Sequence, residues 1–271
     1  MMKKFASQLS TLAVVILVIL FCFPSMASCG RKESSTAPEG ESSADTTSQT
    51  TPPTQTTIPP TVPPETTEPS SAPAEPTPIP LTTAPEGYFS DALFIGDSRT
   101  VGLQEYGSIP EACYFATTGM SVYDIFYEKV AGSTFEDLMA SRQFGKIYVM
   151  LGINELGYDR DQTVAEYEKL IGWIREKQPE AMVYVEANLH VSASRSNTDR
   201  IYNNKNLDDF NARISALADG QRIFYLDVNP LFDDGQGNLS DSYTADDTHV
   251  LGKYYRVWTE WIAENAAVPQ T

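Results

Sequence analysis

Residues 87–271 are predicted to form an α/β domain, with a parallel sheet covered by helices on both faces. Two observations predict it. Apolar runs of four or five residues recur without polar alternation, as strands buried on both sides require. Between them lie segments whose apolar residues keep helical spacing, so strands and helices alternate along the chain.

The elements follow in order. Ala92-Leu93-Phe94-Ile95 reads as the first strand, closed by Gly96, and a helix starts over Ser98 to Tyr106. Cys113-Tyr114-Phe115-Ala116 is the second strand, ended by Thr117-Thr118-Gly119. Ile147-Tyr148-Val149-Met150-Leu151 is the third, ended by Gly152. The next helix spans Glu166 to Lys177, with Tyr167, Leu170, Ile171 and Ile174 on one face. Met182-Val183-Tyr184-Val185 is the fourth strand. A helix carrying Leu207, Phe210, Ile214 and Leu217 leads to the fifth, Ile223-Phe224-Tyr225-Leu226. Tyr254 to Ala263 closes the domain as a helix whose apolar side is Val257, Trp258 and Trp261.

Upstream of this domain the composition changes twice. Lys3 and Lys4 precede an apolar run from Leu12 to Phe23, which reads as a targeting segment. Met26-Ala27-Ser28-Cys29 follows, and resembles the lipobox of bacterial lipoproteins. That resemblance implies a signal peptide over residues 1–28 and a lipid on Cys29. An ordinary signal peptide and an uncleaved anchor are the alternatives, the apolar run being short against the about 20 residues of a bilayer span. Residues 29–86 are rich in Ser, Thr, Pro, Glu and Ala, with few large apolar side chains. Such a segment buries too little to offset its ordering entropy and is expected to be a disordered linker. Extended at roughly 3.1 Å per residue, it reaches on the order of 150 Å and would act as a spacer from a membrane.

Charge and cysteine content narrow the partners. The whole chain carries a formal charge of −17, and residues 87–271 hold 15 Lys and Arg against 28 Asp and Glu. Acidity of this degree argues against nucleic acid and against docking on anionic lipid. Cys22 lies in the targeting run and Cys29 at the lipid site, so Cys113 stands alone in the domain as a small apolar residue. With His190 and His249 as its two histidines, the chain is not expected to hold zinc.

In a parallel sheet, ligands bind beyond the carboxyl ends of the strands. Several reactive side chains fall there. Asp97-Ser98 follows the first strand, Gly119 the second and Asn154 the third, while Asp246 and His249 lie just before the last helix. Acyl transfer needs a nucleophile, a base, a group that orients the base, and donors for the developing oxyanion. Ser98 at a helix start suits the nucleophile, and an imidazole such as that of His249 takes a proton near neutrality. Asp246 can hold the far ring nitrogen. The N–H groups of Ser98 and Gly119, with the Asn154 amide, can face the oxyanion. Each residue alone has a plainer reading, as a helix cap, a turn glycine or a loop brace. Their common placement favours the catalytic one.

Here a family resemblance becomes specific. Phe94-Ile95-Gly96-Asp97-Ser98-Arg99-Thr100 resembles the first block of the SGNH/GDSL hydrolases, and Thr118-Gly119-Met120-Ser121 their glycine block. Gly152-Ile153-Asn154-Glu155 is similar to their Gly-x-Asn block, and Asp246-Asp247-Thr248-His249 to their Asp-x-x-His block. The blocks keep the family's order over nearly all of residues 90–260. The resemblance implies a flavodoxin-like three-layer α/β/α fold and ester hydrolysis through an acyl-enzyme, with no cofactor. It makes Ser98, His249 and Asp246 the triad, and Ser98, Gly119 and Asn154 the oxyanion hole. Arg99 and Glu155 depart from the commonest pattern, which has Leu and Asp there. Arg99 is either a reader of a substrate anion at the pocket mouth or, as the acidic domain favours, the partner of a nearby acid. His190 either lines the cleft or is structural, and the structural role is the one expected.

The expected function is therefore hydrolysis of an ester. A small acyl group on an extracellular or cell-envelope carbohydrate is the substrate that the tether and the likeness to tethered family members suggest. An acyltransferase with the same triad and a non-catalytic surface binding module are the rivals.

Overall fold

The structure is a computed structural model that describes residues 77–269. The expected signal peptide, Cys29 and the linker up to residue 76 lie outside the described residues. In chain order the elements are β1 (Leu81–Thr82), β2 (Ala92–Gly96), α1 (Ser98–Tyr106), β3 (Cys113–Ala116), β4 (Lys129–Val130), β5 (Ser133–Thr134), α2 (Phe135–Ser141), β6 (Lys146–Met150), α3 (Arg160–Lys177), β7 (Met182–Glu186), α4 (Ala193–Thr198), α5 (Asn204–Ser215), β8 (Ile223–Leu226), α6 (Asn229–Phe232), α7 (Tyr255–Glu264) and β9 (Ala266–Ala267).

The central sheet has the order β3-β2-β6-β7-β8, and every pair in it is parallel. Counted within this sheet alone, that is the flavodoxin-like order, and it reverses between β2 and β6. The chain leaves β2 on one side and returns to β6 on the other, so the loops after these two strands part and leave a crevice.

Alternation along each strand builds two cores. Leu93, Ile95, Ile147, Val149, Val183 and Val185 pack against Phe135 and Met139 of α2, Leu170, Ile171 and Ile174 of α3, and Leu207, Phe210 and Ile214 of α5. The intervening residues face α1 and α7, where Trp258 is fully buried. On this second face one rung of the sheet is aromatic throughout. Tyr114, Phe94, Tyr148, Tyr184 and Phe224 are register partners. Their ring centroids lie 5.3, 4.3, 4.3 and 5.5 Å apart in that order. Such pairs add about 0.5–1.5 kcal/mol each beyond their buried area.

The expected three-layer α/β/α fold is the observed one, with differences at element ends. The third helix begins at Arg160 rather than Glu166, because Asp159 accepts from the Gln162 N–H at 2.9 Å and starts the helix ahead of its apolar face. In α7 the buried side is Tyr255, Trp258, Thr259 and Ile262, and Val257 is 41% exposed. The fold also starts before residue 87: β1 pairs antiparallel with β9, and the Ile79 N–H donates to Gly220 O at 2.8 Å. Ile79 and Leu81, isolated apolar residues among prolines and threonines, carry this attachment.

Candidate active site

The turn from β2 into α1 depends on Gly96. A Cβ there would collide with the Thr100 side chain and lie 2.6 Å from the Met150 carbonyl oxygen, so only glycine lets the three segments close up. Asp97 then caps α1 by accepting from the Arg99 N–H at 3.0 Å. Ser98 is the first helical residue, and its N–H has no partner within the helix by virtue of that position.

The Ser98 hydroxyl meets His249 Nε2 at 2.9 Å, and His249 Nδ1 meets Asp246 Oδ2 at 2.7 Å. With the ring proton on Nδ1, His249 donates to Asp246 and accepts from Ser98. Asp246 Oδ1 also accepts from the backbone N–H groups of Thr248 (3.0 Å) and His249 (2.8 Å). Partial burial pushes this carboxyl up, but the His249 N–H, its ring and the Thr248 N–H outweigh burial and bring it down to about 2. It stays ionised at any pH at which the domain would work. Asp247 takes a different part. Its carboxylate accepts from the Ser192 hydroxyl at 2.6 Å, and its φ of 65° lies in the left-handed region.

Across the crevice, Gly119 has φ 84°, and a Cβ there would meet no atom within 4 Å, so the backbone angle and not space calls for glycine. The loop that follows is held by two successive residues. Asn154 Nδ2 donates to Met120 O at 3.0 Å, and Glu155 Oε1 accepts from the Val122 N–H at 2.6 Å. An amide nitrogen carries two hydrogens, so Asn154 keeps one for a ligand. Glu155 is buried, and burial first, then the nearby Asp97, raise its carboxyl to about 7 against the pull of Val122 N–H and Arg99.

Beneath the crevice lies a buried polar floor. Arg99 is 1% exposed; its Nε and Nη2 donate to Asp97, and Nη2 also donates to Asn188 Oδ1 at 2.8 Å. Asn188 in turn donates to Leu151 O at 3.0 Å and exchanges hydrogen bonds with Asn211. Arg99 is therefore the partner of an acid, and its guanidinium does not stand at the pocket mouth. Glu186 shares this interior, and burial raises it to about 8 while Arg99 pulls it down. His190 is structural as well. Its Nδ1 contacts Asp233 and its Nε2 contacts Asp208, each at 2.9 Å, and it does not line the cavity beside Ser98.

Ser98, Gly119, Asn154 and His249 surround one cavity of about 300 Å³. Thr118, Ile153, Arg195, Tyr202 and Thr248 complete its walls, and the almost wholly buried Arg99 lies at its base. Arg195 and Tyr202, on α4 and the loop after it, were not legible in the sequence, since neither sits at a strand end or in a spaced motif. A neighbouring polar recess of about 430 Å³ shares Arg195 and is lined also by Ser194, Thr198, Asp199, Arg200, Asp246 and Asp247.

A flavodoxin-ordered sheet with a serine, histidine and aspartate in hydrogen-bonded line at its carboxyl edge defines the class of protein. An imidazole so placed can draw the proton from the serine hydroxyl as oxygen attacks a carbonyl carbon. The chain belongs to the GDSL-like lipase/acylhydrolase family, whose model matches residues 94–257. Among solved structures it is similar to a platelet-activating-factor candidate from Streptococcus pneumonia, at 21% identity over 63% of this chain and 80% of that one, with a TM-score of 0.51. It is also similar to a GDSL-like lipase from Bacteroides thetaiotaomicron, at 18% identity over 64% and 85%, with a TM-score of 0.50. A G-D-S-L family lipolytic-protein candidate from Desulfitobacterium hafniense aligns at 12% identity over 64% and 97%, with a TM-score of 0.50. At these identities the likeness is one of fold. No curated protein matches the chain.

Proposed function

We propose that this protein is a serine esterase that forms an acyl-enzyme on Ser98. His249 acts as base towards Ser98 and as acid towards the leaving alcohol, Asp246 fixes the ring, and the Ser98 and Gly119 N–H groups with Asn154 face the oxyanion. The observation that carries this reading is the line Ser98 Oγ, His249 Nε2, His249 Nδ1, Asp246 Oδ2, with contacts of 2.9 and 2.7 Å. A cavity of about 300 Å³ is at the small end of ligand sites and suits a short acyl group better than a long chain. The polar recess beside it suits a hydroxyl-rich alcohol, which supports a small acyl group on a carbohydrate. For the segments outside the described residues we propose a lipid-anchored location on the outer face of a bacterial membrane, with Cys29 acylated and residues 29–76 as spacer. Mass spectrometry of the mature N-terminus tests that tether, and an unmodified N-terminus beyond Cys29 refutes it.

The esterase reading is tested with short p-nitrophenyl esters and acetylated oligosaccharides, with product analysis to separate hydrolysis from transfer. Ser98→Ala and His249→Ala should each lower kcat by several orders of magnitude, with no further loss in the double variant. Asp246→Asn should slow turnover strongly and Asp247→Asn less. A Ser98→Ala protein with unchanged turnover would overturn the mechanism.

A further inference from the structure

The loop that carries Asp246 and His249 is braced within itself, and its placement against the rest of the domain depends on contacts from outside. It runs between Thr244 and Val250, which form an isolated antiparallel bridge. Within it, the hydrogen bonds of Asp246 join it to Thr248 and His249, so these residues can move as one body. Asp247 is held in the left-handed region, a conformation that costs a non-glycine residue about 1 kcal/mol or more and persists where its surroundings impose it. The His249 and Asp246 side chains are 43% and 56% exposed, so little packing confines them.

What grips the loop from outside is the start of α4. The Ser192 N–H donates to Asp247 O at 3.0 Å, and the Ser192 hydroxyl donates to Asp247 Oδ1 at 2.6 Å. One helical turn on, Arg195 Nη1 donates to the Thr248 hydroxyl at 2.6 Å. Ser192 is fully buried, and Arg195 is itself braced, lying over the Tyr202 ring at 5.0 Å and 3.7 Å from Asp199. Three hydrogen bonds therefore tie the two residues between Asp246 and His249 to one segment, the buried N-cap and first turn of α4.

We propose that Ser192 and Arg195 are positioning residues for His249, acting through Asp247 and Thr248. The proposal rests on reading His249 as the base of the esterase. A displacement of about 1 Å at a reacting group can cost on the order of a hundredfold in rate, and a loop held this way would otherwise allow it. Arg195 also lines the cavity, so its contact with Thr248 must be separated from a contact with substrate.

The test uses the full-length protein and p-nitrophenyl acetate, a neutral ester that gives Arg195 no anion to bind. Arg195→Ala, Thr248→Val and Ser192→Ala should each lower kcat by roughly tenfold to a hundredfold, with KM changed much less. Combining Arg195→Ala with Thr248→Val should cost no more than either alone, since each removes the same bond. Arg195→Lys should recover part of the loss. Full additivity in the double variant, a silent Thr248→Val, or a loss confined to KM would overturn the proposal. The second readout needs no turnover. The downfield proton NMR resonance of the His249 Nδ1–H held by Asp246 should broaden in Arg195→Ala and Thr248→Val. An unchanged resonance would overturn positioning, whereas a wild-type protein that shows the resonance and hydrolyses no ester would overturn the esterase reading instead. If Ser192→Ala does not fold, the Arg195 and Thr248 variants decide the matter.

Discussion

Replacing Glu155 with Gln should make the domain more stable above neutral pH and change little in acid. Glu155 is buried beside the site, and its carboxyl is raised from an ordinary 4.5 to about 7, chiefly by burial. The sign follows from which state holds the proton. Below pH 4.5 both folded and unfolded chains are protonated at this residue. Between 4.5 and about 7 only the folded chain keeps its proton, so stability falls as pH rises through this window. Above about 7 the full penalty applies, about 3 kcal/mol at roughly 1.36 kcal/mol per pH unit. Gln has no charge to lose, and its side-chain oxygen can still accept from the Val122 N–H that Glu155 accepts at 2.6 Å. The assay is urea unfolding of the full-length protein followed by tryptophan fluorescence from pH 4.5 to 8.5, since all three tryptophans lie in the folded domain. At an m-value of about 2 kcal/mol/M, the midpoint of Glu155→Gln should exceed that of the wild type by roughly 1 M or more at pH 8. The two midpoints should converge near pH 4.5. A gap that does not change with pH, or a variant less stable than wild type at pH 8, would refute a raised Glu155 carboxyl in the folded state.

Arg99→Ala should leave the buried Asp97 carboxylate without its partner and cost about 3–5 kcal/mol, seen as a fall in Tm of roughly 10 °C; an unchanged Tm would mean that the pair is dispensable. Asn154→Ala should lower kcat by about a hundredfold to a thousandfold with KM far less affected, as an oxyanion donor requires. A change in KM alone would place Asn154 in ground-state binding. His190 is raised above its ordinary 6.5, because Asp233 and Asp208 outweigh burial, which lowers it. Its contribution to stability is thus fully present below 6.5 and lost as pH rises through the folded value. His190→Gln should destabilise more at pH 5.5 than at pH 8 in urea unfolding, and an equal effect at both would refute a charged His190.

The parts of the fold that periodicity reports were legible in the sequence. The five central strands are apolar runs because both faces of the sheet are covered, and charge enters only at their ends, at Lys146 of β6 and Glu186 of β7. The helices with strong apolar faces were legible too, while α2 and α4 were not. Phe135–Ser141 and Ala193–Thr198 are too short to establish a period, and α4 buries no residue at all. For the site, what could be read were residues just past strand ends and in spaced blocks. Arg195, Tyr202, Asn188 and Asn211 act through contacts between segments far apart in sequence, which leave no local signature. Arg99 shows the limit from the other side: the acidic composition favoured an acid as its partner, but only its burial and its bonds show that the acid is Asp97 and that Asn188 shares the guanidinium.

That floor has a consequence for how the crevice can be built. Asp97 must lie next to Ser98, because it caps the helix that begins there, and the cap is fully buried. A lone carboxylate so placed would be expensive, and Arg99 offsets it within the same turn. One guanidinium cannot also neutralise Glu155 and Glu186, which share the interior with Asp97. Both carboxyls rise, to about 7 and about 8, so that near neutrality Glu186 is mostly, and Glu155 partly, a neutral acid. The two glutamates therefore place less negative charge beneath the crevice near neutrality than two ionised carboxylates would. In the proposed mechanism, Asp246 would supply the negative charge that is needed, from the half-exposed side of His249, where it meets the imidazole Nδ1.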